Sequence, residues 1–288
     1  MGNILELQEI KKSFPKSDFT LDKLSFSLPY GAILGFVGEN GAGKSTTIGC
    51  ILNTVKKDSG TVKLFGREMR DCDTAMREKI GVVYDGDNFP AYWTAEQLSK
   101  VMGGIYSQWD SGLFHKYLED FHLPAGRKIK NYSRGMGMKL ALAAALSHHP
   151  QLLILDEATG GLDPVMRDEM LDVFLDFVQD ESHSILLSSH ITSDLEKVAD
   201  YITFIHNGRL VMTVSRNDLV YNFAVMRCKE RQFPALDRGD MIAYRKRDFQ
   251  IDVLVPNGKE AQKKYRDMVI DHVSVDEIML LLVKGERV

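Results

Sequence analysis

Apolar runs of strand length alternate with longer helical patterns from the beginning of the chain to about residue 215. The most apolar of these runs lie at residues 32–37, 80–84, 152–155 and 184–188. Runs without polar alternation are typical of strands that are buried on both faces of a parallel sheet. The pattern therefore predicts an α/β fold with a mixed, largely parallel sheet at its core.

Helical patterns are concentrated between the second and third of these runs and directly before the third. Candidate helices lie at residues 94–107, 112–121 and 133–146. Ser133 is a suitable N-cap for the last of them, and Pro150 follows its end. We therefore predict a helical subdomain at about residues 88–150, inserted into a domain that spans residues 1–214.

The pattern changes after about residue 214. Residues 249–255 alternate apolar and polar side chains, as a half-solvated strand does, and residues 256–258 are a turn signal. Two further helical patterns lie at residues 259–269 and 274–283. Residues 215–288 are therefore predicted to form a small C-terminal α+β domain.

Composition and charge narrow the class of protein. The chain has 288 residues, is 44% hydrophobic and 26% charged, and carries a net charge of −4. These values are ordinary for a globular protein, and we expect no nucleic-acid partner. No apolar run approaches the ~20 residues that span a bilayer, and the first residues lack a signal-peptide pattern. Cys50, Cys72 and Cys228 are too scattered for a disulfide framework or a metal site, which favours a reducing compartment.

Residues 38–46 match the phosphate-binding pattern G-x-x-x-x-G-K-[ST] without a gap. In order they are Gly38, Glu39, Asn40, Gly41, Ala42, Gly43, Lys44, Ser45 and Thr46. A glycine-rich loop between a buried strand and a helix lets successive backbone N–H groups face one anion. Lys44 adds a positive charge at the β- and γ-phosphates, and the Ser45 hydroxyl can bind Mg²⁺. The segment predicts a site for a nucleoside triphosphate with magnesium.

A second motif follows the apolar run at residues 152–155, which ends in Asp156 and Glu157. The carboxyl ends of parallel strands form the edge where ligands bind in open α/β folds. Asp156 is a candidate Mg²⁺ ligand, and Glu157 is a candidate general base for an attacking water. An acidic pair at a solvated strand end is the alternative, and the phosphate-binding loop upstream favours the functional interpretation.

Three further segments have the order and spacing of a known family. Residues 132–136 read Tyr-Ser-Arg-Gly-Met, residues 161–164 read Gly-Leu-Asp-Pro, and residues 188–190 read Ser-Ser-His. Placed around the two preceding motifs, they resemble the signature segment, the loop after the catalytic glutamate and the switch histidine of ABC ATPases. The resemblance covers about residues 4–215. It implies ATP and Mg²⁺ as the bound cofactors.

The resemblance also implies a role for each matching residue. Phe14 stacks on adenine, Glu157 is the general base, and His190 contacts the γ-phosphate. The signature consists of Ser133, Arg134, Gly135 and Met136. It caps the nucleotide of a second ATPase subunit, and Asp163 lies at the interface between the two. The implied active unit is a head-to-tail dimer, of this chain or of this chain with a relative, closed by ATP and opened after hydrolysis.

Two departures from the family pattern concern this site. Asp85, followed by Gly86 and Asp87, stands where the family usually has a glutamine that binds Mg²⁺ and approaches the attacking water. A carboxylate can still bind Mg²⁺, so Asp85 stays a candidate metal ligand and catalytic residue. Arg134 replaces a glycine of the signature, where its guanidinium could bond to the γ-phosphate, and Met136 replaces a glutamine.

The expected function is that of an ATP-hydrolysing subunit of an exporter, at the cytoplasmic face of the membrane. The permease would be a separate integral-membrane chain, whose short cytoplasmic helix docks near residues 85–98, and the cargo a peptide, an antibiotic or a lipid. Residues 274–279 resemble the end of separate-chain exporter ATPases. Three alternatives remain: a soluble ABC ATPase acting on ribosomes or DNA, an importer ATPase, and a regulatory ATP-binding module with little hydrolysis.

Overall fold

A six-stranded sheet forms the centre of the computed structural model, which describes residues 2–15, 17–69, 73–86 and 88–288. In spatial order its strands are β10 (Arg209–Ser215), β9 (Tyr201–His206), β3 (Ile33–Val37), β8 (Ser184–Ser189), β7 (Leu152–Asp156) and β6 (Ile80–Tyr84). β10 is antiparallel to β9, and the other strands are parallel. The predicted buried strands and the mixed α/β core are confirmed.

A second, antiparallel sheet covers one face of the first. Its order is β2 (Thr20–Pro29), β1 (Asn3–Ser13), β4 (Ser59–Leu64) and β5 (Arg67–Glu68). Helix α1 (Lys44–Ile51) contributes to the hydrophobic core on this side, where Ile48 packs with Leu34 of β3 and Ile154 of β7. This packing fixes the beginning of α1 at the carboxyl end of β3.

Helices form a separate layer between β6 and β7 in sequence. They are α3 (Ala95–Ile105), α4 (Ser111–Asp120) and α5 (Arg134–Leu146), whereas the short α2 (Thr74–Arg77) precedes β6. Ser133 caps α5 through a bond from the Met136 N–H to its Oγ, as its sequence predicts. One face of α5 packs with Phe114 and Leu118 of α4, and Leu142 and Ala145 belong to the core of the central sheet. α5 therefore connects the helical layer to the sheet.

The C-terminal part forms a five-stranded antiparallel sheet. Its order is β14 (Val269–His272), β11 (Ala224–Cys228), β13 (Ile251–Val255), β12 (Ala243–Lys246) and β15 (Glu286–Arg287), accompanied by α8 (Arg216–Tyr221), α9 (Gly258–Lys264) and α10 (Val275–Lys284). The helix predicted at residues 259–269 is too long. α9 ends at Lys264, because residues 269–272 pair with β11 and become a strand.

The C-terminal sheet shares a core with the central domain. Helices α6 (Pro164–Phe177) and α7 (Thr192–Val198) follow β7 and β8. Leu195 of α7 lies in one buried cluster with Leu254 of β13 and Ile278 of α10. Glu196 Oε1 also accepts a 2.6 Å bond from the Val275 N–H at the beginning of α10. The C-terminal sheet is thus fixed to the helix that follows His190.

Cys50 and Cys228 are buried free thiols, while Cys72 and Asp87 lie outside the described residues. Within the described ranges, no helix has both the length and the apolar character needed to cross a bilayer.

Candidate nucleotide site

The phosphate-binding loop connects β3 to α1, as the sequence predicts. Gly43 adopts φ +114°, a conformation that L side chains rarely adopt, and a Cβ there would lie 2.7 Å from Leu21 Cδ2. At Gly38 a Cβ would lie 2.6 Å from the carbonyl oxygen of Ile205. Glu39, Asn40, Gly41 and Ser45 are exposed, whereas Ala42 is buried. Both glycines are therefore needed to fit the loop between β1–β2 and β9, and its outer side faces solvent.

Lys44 is held by the loop itself. Its side chain is only 6% exposed, and its Nζ donates to the carbonyl oxygen of Gly38 at 2.8 Å and to that of Glu39 at 3.4 Å. The same Nζ lies 3.2 Å from Glu157 Oε1. A buried ammonium needs such partners because desolvation disfavours its charge. Lys44 therefore connects the phosphate-binding loop with the carboxyl end of β7.

Glu157 lies between Lys44 and His190. Its backbone has φ +57°, and its N–H donates to the Ser188 carbonyl of the neighbouring strand at 3.0 Å. Glu157 Oε2 accepts from the His190 N–H at 3.2 Å and lies 2.5 Å from His190 Nδ1. A non-glycine residue at positive φ is uncommon and here aims the carboxylate across the strand end. Residues from β3–α1, β7 and β8 thus converge on one carboxylate.

Asp156 has the features of a metal ligand. It is 7% exposed, and its Oδ1 is buried without a hydrogen-bond partner within the described residues. The hydroxyls of Thr159 and Ser188 are also buried and unpaired, and Ser188 pairs with Asp156 in the β7–β8 register. Carboxylate and hydroxyl oxygens are the ligands that Mg²⁺ prefers. The residues present therefore fit a magnesium ion and its water at this edge.

The signature segment lies at the beginning of α5. Ser133 and Arg134 are exposed, Gly135 is buried, and Met136 is partly buried. A Cβ on Gly135 would lie 2.3 Å from Met166 Cε of α6, so the helix begins in close contact with the segment after Asp163. Asp163 is exposed and caps α6 through bonds from the Val165 and Met166 N–H groups. The structure thus brings the signature segment and Asp163 to one surface.

Arg134 and Asp85 form an ion pair within the chain. Arg134 Nη2 donates to Asp85 Oδ1 at 2.7 Å, and both side chains are about half exposed, at 52% and 48%. A Cβ on Gly161 would lie 2.7 Å from Arg134 Nη1, so the guanidinium rests on this glycine. The two replacements noted in the sequence therefore contact each other. The sequence carries no local signal of this pair, because its members lie 49 positions apart.

Phe14 is partly buried, and the ammonium of Lys12 lies 5.3 Å from the centre of its ring. A second aromatic residue, Phe19, lies against the phosphate-binding loop, with its Cζ 2.8 Å from the position of a Cβ on Gly43. His206 Nδ1 lies 3.8 Å from Glu39 Oε2. No local sequence pattern predicts the positions of Phe19 and His206, because each reaches the loop from a distant strand or turn.

A groove of about 470 Å³ separates the loop after β6 from the beginning of α5. Its walls include Asp85, Asn88, Phe89, Tyr132 and Met138. Tyr92, close by in sequence, is 70% exposed. The groove has mixed apolar and polar walls and lies where the helical layer meets the edge of the central sheet.

Residues 21–160 match the family model described as ABC transporter. The chain is 32% identical over 225 residues to the bacitracin transport ATP-binding protein BcrA of Enterococcus faecalis, covering 76% of this chain and 71% of that protein. It is 33% identical over 213 residues to the lantibiotic transport ATP-binding protein SrtF of Streptococcus pyogenes, covering 73% and 90%.

Among solved structures, one described as the ATP binding subunit of an ABC transporter superposes with a TM-score of 0.68. The match covers 80% of this chain and 93% of that chain at 24% identity. At this identity the likeness concerns the fold alone.

Proposed function

Because the chain belongs to the ABC transporter family, in which it is an ATP-binding and ATP-hydrolysing subunit, we propose a role in export. The chain powers the export of an amphipathic peptide or antibiotic through a separate permease. The observation that carries the cargo class is the similarity to bacitracin and lantibiotic transport proteins. The cytoplasmic face of the membrane is the corresponding location. The groove beside Asp85 is the proposed contact for a short helix of the permease.

The proposed nucleotide contacts follow the geometry of the loop. Backbone N–H groups of residues 38–46 surround the phosphates, and Phe14 stacks on adenine. In the structure Lys44 Nζ bonds to carbonyl oxygens of its own loop and lies beside Glu157. Entry of the γ-phosphate would draw Lys44 toward phosphate oxygens, because a phosphate carries more negative charge than a carbonyl. Glu157 would then be released from Lys44 while still held by His190.

The proposed chemistry is attack of a water oxygen on the γ-phosphorus, which breaks the bond from that phosphorus to the β–γ bridging oxygen and releases ADP and inorganic phosphate. Glu157 accepts the proton of the water, and His190 keeps that carboxylate oriented through its backbone N–H and ring. When bound, Mg²⁺ neutralises charge on the β- and γ-phosphates, and Ser45 and Asp156 are its proposed ligands. In the proposed head-to-tail dimer, Ser133 and Gly135 reach the nucleotide of the partner subunit. The exposed beginning of α5 supports this assignment.

The role of Glu157 is tested by Glu157→Gln. We expect ATP binding to persist, steady-state hydrolysis to fall by at least about a hundredfold, and an ATP-dependent dimer to accumulate. A phosphate-release assay measures hydrolysis, gel filtration with ATP measures the dimer, and a fluorescent ATP analogue measures binding. Glu230→Gln, an exposed carboxylate after β11, is the matched control and keeps parental turnover. Hydrolysis by Glu157→Gln at the parental rate would contradict the assignment of the base.

The transport proposal is tested by capture of the tagged Glu157→Gln variant from detergent-solubilised native membranes, with and without ATP. Recovery of a polytopic membrane protein supports it, and loss of that protein on Tyr132→Glu, which places a charge in the groove, supports the docking site. Recovery of ribosomes or DNA-repair factors without a membrane protein would overturn it.

A further inference from the structure

Two unusual residues of the site, Asp85 after β6 and Arg134 at the beginning of α5, lie 49 positions apart in sequence and are bonded at 2.7 Å. Each replaces an uncharged residue of the family pattern stated above. An exposed pair of opposite charges by itself contributes little to stability. The relevant effect of this pair is therefore the connection that it makes between two segments. The pair connects the helical layer to an edge of the central sheet.

A third segment takes part in this contact. The guanidinium of Arg134 lies over Gly161, where a Cβ would be 2.7 Å from Nη1 and 2.8 Å from Cζ. A Cβ on the preceding Gly160 would be 3.7 Å from Arg134 Nη2 and 3.8 Å from His190 Cε1. The planar guanidinium thus fits between Asp85 and the turn formed by Gly160 and Gly161, which have no side chains. This turn begins three residues after Glu157 and ends before Asp163.

We propose that Arg134 is a positioning residue that acts within its own subunit: through Asp85 and the Gly160–Gly161 turn it holds the beginning of α5 in register with the catalytic edge. In this structure the guanidinium of Arg134 is held within its own subunit, by the bond to Asp85 and the contact with Gly161. Asp85 Oδ1 is correspondingly occupied by Arg134. The inference rests on the proposed dimer for its kinetic consequence, because α5 would present Ser133 to the partner subunit when the dimer closes.

The expected kinetic signature is a change of kcat with little change of KM for ATP. ATP is bound by the phosphate-binding loop, which this pair does not contact, so its affinity should persist. Loosening the pair would reduce the fraction of subunits whose α5 is aligned for closure. A loss of about two- to fivefold in kcat is expected, the range that coupling within an exposed ion pair gives.

The test is a double-mutant cycle on the full chain with Asp85→Asn and Arg134→Gln. If the residues act through each other, the double variant is no slower than either single variant, and Asp85→Glu retains most of the parental kcat. The exchanged pair Asp85→Arg with Arg134→Asp recovers kcat relative to either half alone. The same exchange at Lys197 and Asp168, an exposed pair also at 2.7 Å, is the control and leaves kcat unchanged.

Two results would overturn the inference. Additive losses, with the exchanged pair slower than both single changes, would show that Arg134 meets the partner's phosphate directly. An increased Mg²⁺ requirement of Asp85→Asn that persists in the Arg134→Gln background would show that Asp85 is a metal ligand.

A measurement that does not depend on ATP hydrolysis tests this inference independently of the proposed function. In the nucleotide-free protein, both single variants should raise hydrogen exchange at the first-turn amides of α5 equally, with no further increase in the double variant. Unchanged exchange in both would overturn the pairing even if hydrolysis is intact. The expected exchange pattern would support it even if no permease is captured.

Discussion

Lys44 lies where the phosphate-binding loop meets the carboxyl end of β7, and its position depends on glycines that admit no side chain. At Gly43 the backbone has φ +114°, and the space for a Cβ is occupied by Leu21 and Phe19. A Cβ at Gly43 would therefore be unfavourable for two reasons, the positive φ and the overlap with these two side chains. The loop is therefore sensitive to a single added methyl group.

We expect Gly43→Ala to lower the free energy of unfolding by about 1–3 kcal/mol and to abolish ATP binding, because the loop must shift to accept the Cβ. Thermal unfolding and binding of a fluorescent ATP analogue measure the two effects. Gly104→Ala in α3 is the control, since no atom lies within 4 Å of its added Cβ. Parental binding by Gly43→Ala would show that the loop has another conformation.

At the scale of single elements, α10 is the helix that joins the C-terminal sheet to α7. It begins with a capping box, in which Ser274 Oγ accepts from the Glu277 N–H and Glu277 Oε2 accepts from the Ser274 N–H. The Val275 N–H is satisfied by Glu196 of α7. The end of this helix is thus stabilised both locally and by the helix next to His190.

Ser274→Ala should lower the free energy of unfolding by about 1 kcal/mol, since an orphan N–H at the helix end loses its acceptor. Hydrogen exchange should rise first in α10. Ser274→Asp keeps an acceptor and should retain most of the parental stability. Equal destabilisation by the two substitutions would indicate that the cap does not stabilise α10.

Carboxylates held by hydrogen bonds occur across the whole molecule. Bonds from Ser13 and Lys12 lower the pKa of Asp58 to about 2. The pKa values of Glu78, Asp110, Asp180, Asp218, Asp237 and Asp240 are also lowered, each chiefly by hydrogen bonds. A carboxylate with a depressed folded pKa stabilises the protein above its ordinary pKa of about 4. This stabilisation is lost as pH falls through the folded value.

For Asp58, the expected window lies between its ordinary pKa of 3.8 and the folded value of about 2. Asp58→Asn should be less stable than the parent at pH 6, and the difference should shrink as pH falls through this window. Denaturant unfolding at a series of pH values measures it. The exposed Asp18→Asn is the control. A difference that grows toward low pH would contradict the sign of this linkage.

Much of the fold could be predicted because its determinants are contiguous in sequence. The apolar runs that become β3, β6, β7 and β8 are short and uninterrupted, and caps such as Ser133 act within three residues. The predicted helix at residues 259–269 was wrong at its end because strand pairing with β11 competes with helical propensity. Pairing between distant segments leaves no local signal.

The sequence by itself determined the chemistry of the phosphate-binding loop, since its glycines, lysine and hydroxyl act together within nine consecutive positions, 38–46. The acidic pair at the end of β7 could be recognised in the same way, since Asp156 and Glu157 directly follow one apolar run. Only the tertiary structure decided that Glu157 contacts both Lys44 and His190, and that Asp85 pairs with Arg134. The physical reason is that these contacts depend on strand order and on the docking of α5 against the sheet, which bring together charges that the chain separates.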